Sequence, residues 1–125
     1  AIDLMEEEGI IEYAAEIGAK VIAPALHDLA AKHKVIGEIR GTGVFWGMDL
    51  VTDRATREPL APYGATSPAM NEFAASCKKE GLWPFVHFNR THVVPPCTIS
   101  EAELKEGFAI LDKALSTIGK YYTGA

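Results

Sequence analysis

The stretch VFWGMDLV, residues 44–51, constrains the fold more than any other segment. Val44, Trp46, Met48 and Leu50 fall on one face of an extended chain; Phe45, Gly47 and Asp49 fall on the other. Strict alternation over this length predicts a strand with one apolar side. VIGEIR (Val35 to Arg40) precedes it, and Gly41-Thr42-Gly43 between them reads as a tight turn, because glycine accepts positive φ cheaply. The two segments form an antiparallel hairpin. Asp49, on its polar side, is either exposed or paired with Arg40.

An apolar sheet face needs helices to cover it, and the chain supplies them. Ile10, Ala14, Ile17, Val21, Ala25 and Leu29 recur at helical spacing from Ile10 to Lys34, with Pro24 kinking or splitting that helix. Ser67-Pro68 starts a second helix with apolar positions Met70, Phe73, Ala74 and Cys77, stopped by Gly81. Ser100 and Glu103 make a capping box before Leu104, Phe108, Leu111, Leu115 and Ile118, and the YYTGA tail frays. Thr52 to Thr66 is a long polar loop. LWPFVHF is a strand that Pro84 assigns to a sheet edge; NRT is a turn, and HVV a short returning strand closed by Pro95-Pro96. The fold class is α+β: a small antiparallel sheet of three to four strands covered by helices, in one domain over residues 1–125. One sheet face is left for another domain.

Residues 1–8 read as helical and end near Gly9, but no capping residue opens them. This predicts a fragment of a longer protein, with an apolar patch around Ile10, Ile11 and Ile17 that drives self-association.

Composition narrows the function classes. A net charge of -5 gives no basic footprint for nucleic acid, and no apolar run approaches a bilayer span. The two cysteines, Cys77 and Cys97, read as buried thiols of a cytoplasmic protein. His27 and His33 are six residues apart and share no helix face at ligand spacing. His87 and His92 flank a turn without a thiol or carboxylate pattern, so no metal site is assigned. Gly41-Thr42-Gly43 is too short for a phosphate loop, and no G-x-S-x-G nucleophile occurs. Arg90 and His92 remain. In extended backbone they project to the same side, where an arginine beside a histidine can bind a carboxylate. The competing reading is a solvated hairpin tip with Arg90 in a surface ion pair.

Three segments carry a family resemblance: EEEGIIEYAAEIGAKV, VIGEIRGTGVFWGMDLV and THVVPPCTISEAELKEGFAILDKAL. In this order they resemble the C-terminal part of class III aminotransferases, pyridoxal-phosphate enzymes of fold type I. GLWPF and NRTHVVPP look closest to the omega-amino-acid, beta-alanine or taurine type. The resemblance implies a small C-terminal domain whose large, cofactor-binding partner domain is absent from these residues. It implies a homodimeric enzyme that moves an amino group from an amino donor to a 2-oxo acid. The lysine that bonds the cofactor belongs to the large domain, so this chain is inactive alone and contributes no catalytic residue. Many members place a substrate-carboxylate arginine three residues before the first proline. His92 stands there instead, with Arg90 as the candidate for the charge. That departure suits a donor whose amine is remote from its acid group, an omega-amino acid or a sulfonate. The alternative is a stand-alone α+β ligand-binding or regulatory module without catalysis.

Overall fold

The computed structural model describes residues 9–96 and 99–124, so the helix expected over 1–8 and the thiol of Cys97 lie outside it. Helix α1 (Ile10–Ile17) leads through one π turn (Gly18–Ile22) into α2 (Ala23–Lys32). Pro24 does split the expected helix, and the irregularity lies in the turn before it. Proline has no N–H for the carbonyl four residues back, and the wider turn is closed by Ala23 N–H donating to the Gly18 carbonyl.

Strands β1 (Ile36–Thr42) and β2 (Phe45–Asp53) form the hairpin. It is longer than expected, because the turn tightens onto Gly43, whose φ is 54°. The Trp46 indole N–H closes that turn on the Gly43 carbonyl at 2.7 Å. A two-residue strand, β3 (Glu58–Pro59), pairs with β2 inside the segment read as a loop. Helix α3 (Pro68–Lys79) starts on Ser67, whose hydroxyl accepts the Met70 N–H at 3.2 Å. Strands β4 (Phe85–His87) and β5 (Arg90–Val93) follow, then α4 (Glu101–Ile118), opened by the Ser100–Glu103 capping box. Among the described residues the antiparallel sheet has five strands in the order β1-β2-β5-β4, with β3 on β2. The α+β class therefore holds, with one short strand beyond the expected three to four. Strand β4 lies at an edge, where Pro84 predicts it.

Alternation decides what the sheet buries. Met48 and Leu50 point inward and are fully buried with Leu26, Phe73, Leu115 and Ile118 from α2, α3 and α4. Cys77 joins them, and burial pushes its thiol up to about 11. Ile17 is buried as well, so the expected N-terminal patch reduces to half-buried Ile10 and to Ile11, which is 55% exposed.

Two polar devices fasten the layers. The Arg54 guanidinium donates to the carbonyls of Ala30, His33, Lys34 and Ile36, capping the C-terminus of α2 against the start of β1. The tail does not fray: Thr123 and Gly124 N–H both donate to the Thr52 carbonyl, at 2.9 and 3.0 Å. Periodicity could not show this, because the partner is a β2 carbonyl some seventy residues away.

Asp112 of α4 ties in the end of α2. Lys32 Nζ lies 2.8 Å from one of its oxygens and buried His33 Nε2 lies 2.6 Å from the other. The Lys32 hydrogen bond first, and the His33 contact second, hold the Asp112 carboxyl below the usual range. A pKa depressed by folding contributes stability that is full above the unfolded value and lost as pH falls through the folded one. Thermal stability should therefore drop more steeply below about pH 4 in the parent than in Asp112→Asn. Parallel profiles for the two proteins in acid would show that the tie contributes nothing.

Candidate functional site

Register determines what meets on the outer face. Strand β5 sends Thr91 inward, where it is buried and its hydroxyl donates to the Phe85 carbonyl at 3.3 Å. Arg90 and His92, its neighbours, must then both point outward. Two cross-strand rows result. One is Glu38, Asp49, Arg90 and His87; the next is Arg40, Gly47, His92 and Phe85. The hairpin between β4 and β5 turns at Phe88, which takes a left-handed φ of 57°. That conformation is uncommon for an aromatic residue. The turn is therefore Phe88-Asn89, and Arg90 belongs to the strand rather than to the turn read in NRT.

Asp49 anchors the first row. Its Oδ2 accepts Arg40 Nη2 at 2.8 Å and its Oδ1 accepts Arg90 Nε at 3.1 Å. The Arg40 contact is one of the two options left open by the sequence. The Arg90 contact is not legible there, because β2 and β5 become neighbours only through the strand order. Arg90 is thus both oriented toward the outer face and held in an ion pair. Such exposed pairs contribute little to stability, so Arg90 remains available to a ligand.

His92 sits between two aromatic rings, 4.9 Å from Phe85 and 6.0 Å from Phe45, centroid to centroid. Phe45 and Phe85 are 61% and 59% exposed, unusual for phenylalanine. Neither was singled out from the sequence. The available signal was the position of Phe45 on the polar side of an otherwise clean alternation. Beside this face a groove of about 600 Å³ runs between the β4–β5 end of the sheet and α4, with Trp83, Phe85, His92, Val94, Phe108 and Leu111 among its walls. Phe85 and His92 belong to both, so the polar face and the apolar groove are continuous. His87 lies on the same face, and His27 and His33 lie elsewhere on α2 and at its cap. Among the described residues no three metal-ligating side chains converge.

The family described as Aminotransferase class-III matches residues 1–115. The chain belongs to the class-III aminotransferases. This class-III chain is 35% identical over 124 residues to the taurine–pyruvate aminotransferase of Bilophila wadsworthia, across 94% of the chain and 26% of that protein. It is 34% identical over 119 residues to ethanolamine-phosphate phospho-lyase homolog 1 of Caenorhabditis elegans, across 94% of the chain and 24% of that protein. Its fold superposes on taurine:2-oxoglutarate aminotransferase from Bifidobacterium kashiwanohense, solved in complex with PLP and glutamate. The TM-score is 0.89 at 27% identity, over 98% of this chain and 27% of that one. The class-III chain thus spans about a quarter of the length of the curated relatives it matches.

Pyridoxal phosphate needs a lysine to bond it and a partner for its ring nitrogen. All eight lysines of this class-III chain are exposed. Lys20, Lys32, Lys105, Lys113 and Lys120 pair with carboxylates, and Lys78 lies over the Trp83 ring. None lines the groove. A cofactor-bonding lysine sits in an enclosed pocket, and none of these lysines is enclosed by the described residues. The residues present do not fit the cofactor by themselves.

Proposed function

We propose that this chain is the small C-terminal domain of a pyridoxal-phosphate-dependent aminotransferase, and that its outer sheet face reads the acid group of the substrate. Arg90 and His92 are the substrate-binding residues. The observation that carries this reading is their shared outer face, open to solvent and continuous with an apolar groove, in a chain of this family. Arginine supplies charge-assisted donors, and the imidazole adds a hydrogen-bond donor between two aromatic walls. The taurine specificity in the names of two relatives supports a donor with a remote acid group, an omega-amino acid or a sulfonate, and a 2-oxo acid as acceptor. The cofactor lysine then comes from a large domain outside these residues, which agrees with the exposure of all eight lysines here. The proposed holoenzyme is a homodimer, as the family resemblance implies, and is placed in the cytoplasm on the reading of its cysteines as free thiols. Among the described residues no helix is long and apolar enough to cross a membrane.

One observation favours a second reading, elimination rather than transfer: a phospho-lyase homolog is as similar as the aminotransferases. Product analysis separates the two. The full-length protein with pyridoxal phosphate is expected to convert taurine and pyruvate into sulfoacetaldehyde and alanine, mole for mole with taurine consumed. Borohydride reduction is expected to fix the cofactor on one lysine outside these 125 residues. Release of ammonia and phosphate from ethanolamine phosphate, with no alanine formed from taurine and pyruvate, would select the lyase reading. Reduction onto one of Lys20, Lys32, Lys34, Lys78, Lys79, Lys105, Lys113 or Lys120 would contradict the assignment as a small domain.

A further inference from the structure

Gly47 lies at the centre of the outer face, and the fold does not require a glycine there. Its φ is not left-handed, and an added Cβ would meet only His92 Cδ2 and the Thr91 carbonyl oxygen, each at an ordinary 3.8 Å. Gly37 and Gly41 differ. A Cβ at Gly37 would lie 2.6 Å from Val51 Cγ1, and one at Gly41 would lie 2.4 Å from Trp46 Cδ2. A glycine inside a strand weakens it, because the backbone loses more entropy and no side chain packs. What Gly47 supplies is empty space on the outward side. That space is bordered by Arg40 and His92 across the strands and by Phe45 and Asp49 along β2.

The border carries one carboxylate, Asp49, and both of its oxygens are already paired. Asp49 commits one oxygen to Arg40 and the other to the Arg90 Nε, so Arg40 fixes the carboxylate that aims Arg90. Holding Arg90 by Nε leaves both of its terminal nitrogens without a partner among the described residues. Glu38 approaches Arg40 at 3.7 Å from the β1 side, and no ion pair links it to Arg90. A gap beside an oriented guanidinium fork and an imidazole matches a compact oxyanion.

We infer that Gly47 is the floor of a cradle for the singly charged acid group of the substrate, a carboxylate or sulfonate, with Asp49 as the residue that positions Arg90. This rests on the reading that Arg90 and His92 bind substrate. The test uses the full-length holoenzyme and compares the KM for taurine with the KM for an amine that has no acid group, n-butylamine, alongside melting midpoints. Gly47→Ala is expected to melt at or above the parent temperature and to raise the taurine-to-butylamine KM ratio roughly tenfold, since it fills the gap. Asp49→Asn is expected to raise the ratio too, by releasing Arg90. Gly119→Ala, at an exposed helix end with open space around it, is the control and moves neither. An unchanged ratio in Gly47→Ala, together with a raised ratio in Arg90→Ala, would overturn the cradle and leave the substrate-binding reading standing. Unchanged ratios in Arg90→Ala and His92→Ala would overturn both. A sharp loss of melting temperature in Gly47→Ala would show that the fold needs this glycine, and would also overturn the cradle.

Discussion

Gly18→Ala should destabilise the chain more than a methyl group added at any other described glycine. The new Cβ would lie 2.0 Å from the Gly43 carbonyl oxygen and within 2.9 Å of two further Gly43 backbone atoms. Those atoms form the tip of the β1–β2 hairpin, held by Trp46, so no side-chain rotation relieves the overlap. The π turn or the hairpin must move. Overpacking of this kind costs about 1–3 kcal/mol or more, against a gain near 1 kcal/mol for alanine over glycine in a helix. A contact at 2.0 Å against backbone belongs at the upper end, so the melting midpoint should fall by roughly 10 °C. The same hairpin carries Arg40, Gly47 and Asp49, so moving it should impair the outer face as well. A midpoint within about 2 °C of the parent would mean that the π turn does not seat on the hairpin.

Arg90→Ala should have the largest effect on function. A charge-assisted hydrogen bond contributes about 1.5–3 kcal/mol, so its loss should raise the KM for an acid-bearing donor roughly 10- to 100-fold. Arg90→Lys should recover only part of that, because an ammonium cannot reproduce the planar fork. The fold should tolerate both changes. Arg90 is half exposed, and Asp49 keeps Arg40 as a partner. The check is steady-state kinetics of the full-length enzyme with taurine. A KM unchanged in Arg90→Ala would remove Arg90 from the substrate site.

Where one local rule acts alone, the structure agrees with the sequence. The alternation in VFWGMDLV places Met48 and Leu50 inside and Asp49 outside. The capping box opens α4 at Ser100, and Leu104, Phe108, Leu111, Leu115 and Ile118 are all buried. The departures arise where a distant partner overrides local preference. Strand β3 forms because β2 extends to Asp53 and the chain reverses at Arg57, which adopts a φ of 60°. The C-terminal tail is held by Thr52, and the Arg54 cap reaches four carbonyls between Ala30 and Ile36.

The candidate site divides the same way. That Arg90 and His92 share a side follows from their spacing of two. That Asp49 faces Arg90, and that Gly47 faces His92, depends on β5 inserting beside β2. Adjacent strands in sequence often pair, but this contact joins segments about forty residues apart.

The most direct measurement is a crystal structure of the full-length enzyme with taurine bound. The sulfonate oxygens should lie about 3 Å from a terminal nitrogen of Arg90 or a ring nitrogen of His92, above Gly47. A sulfonate held only by residues outside these 125, with Arg90 and His92 making no contact to it, would contradict the account.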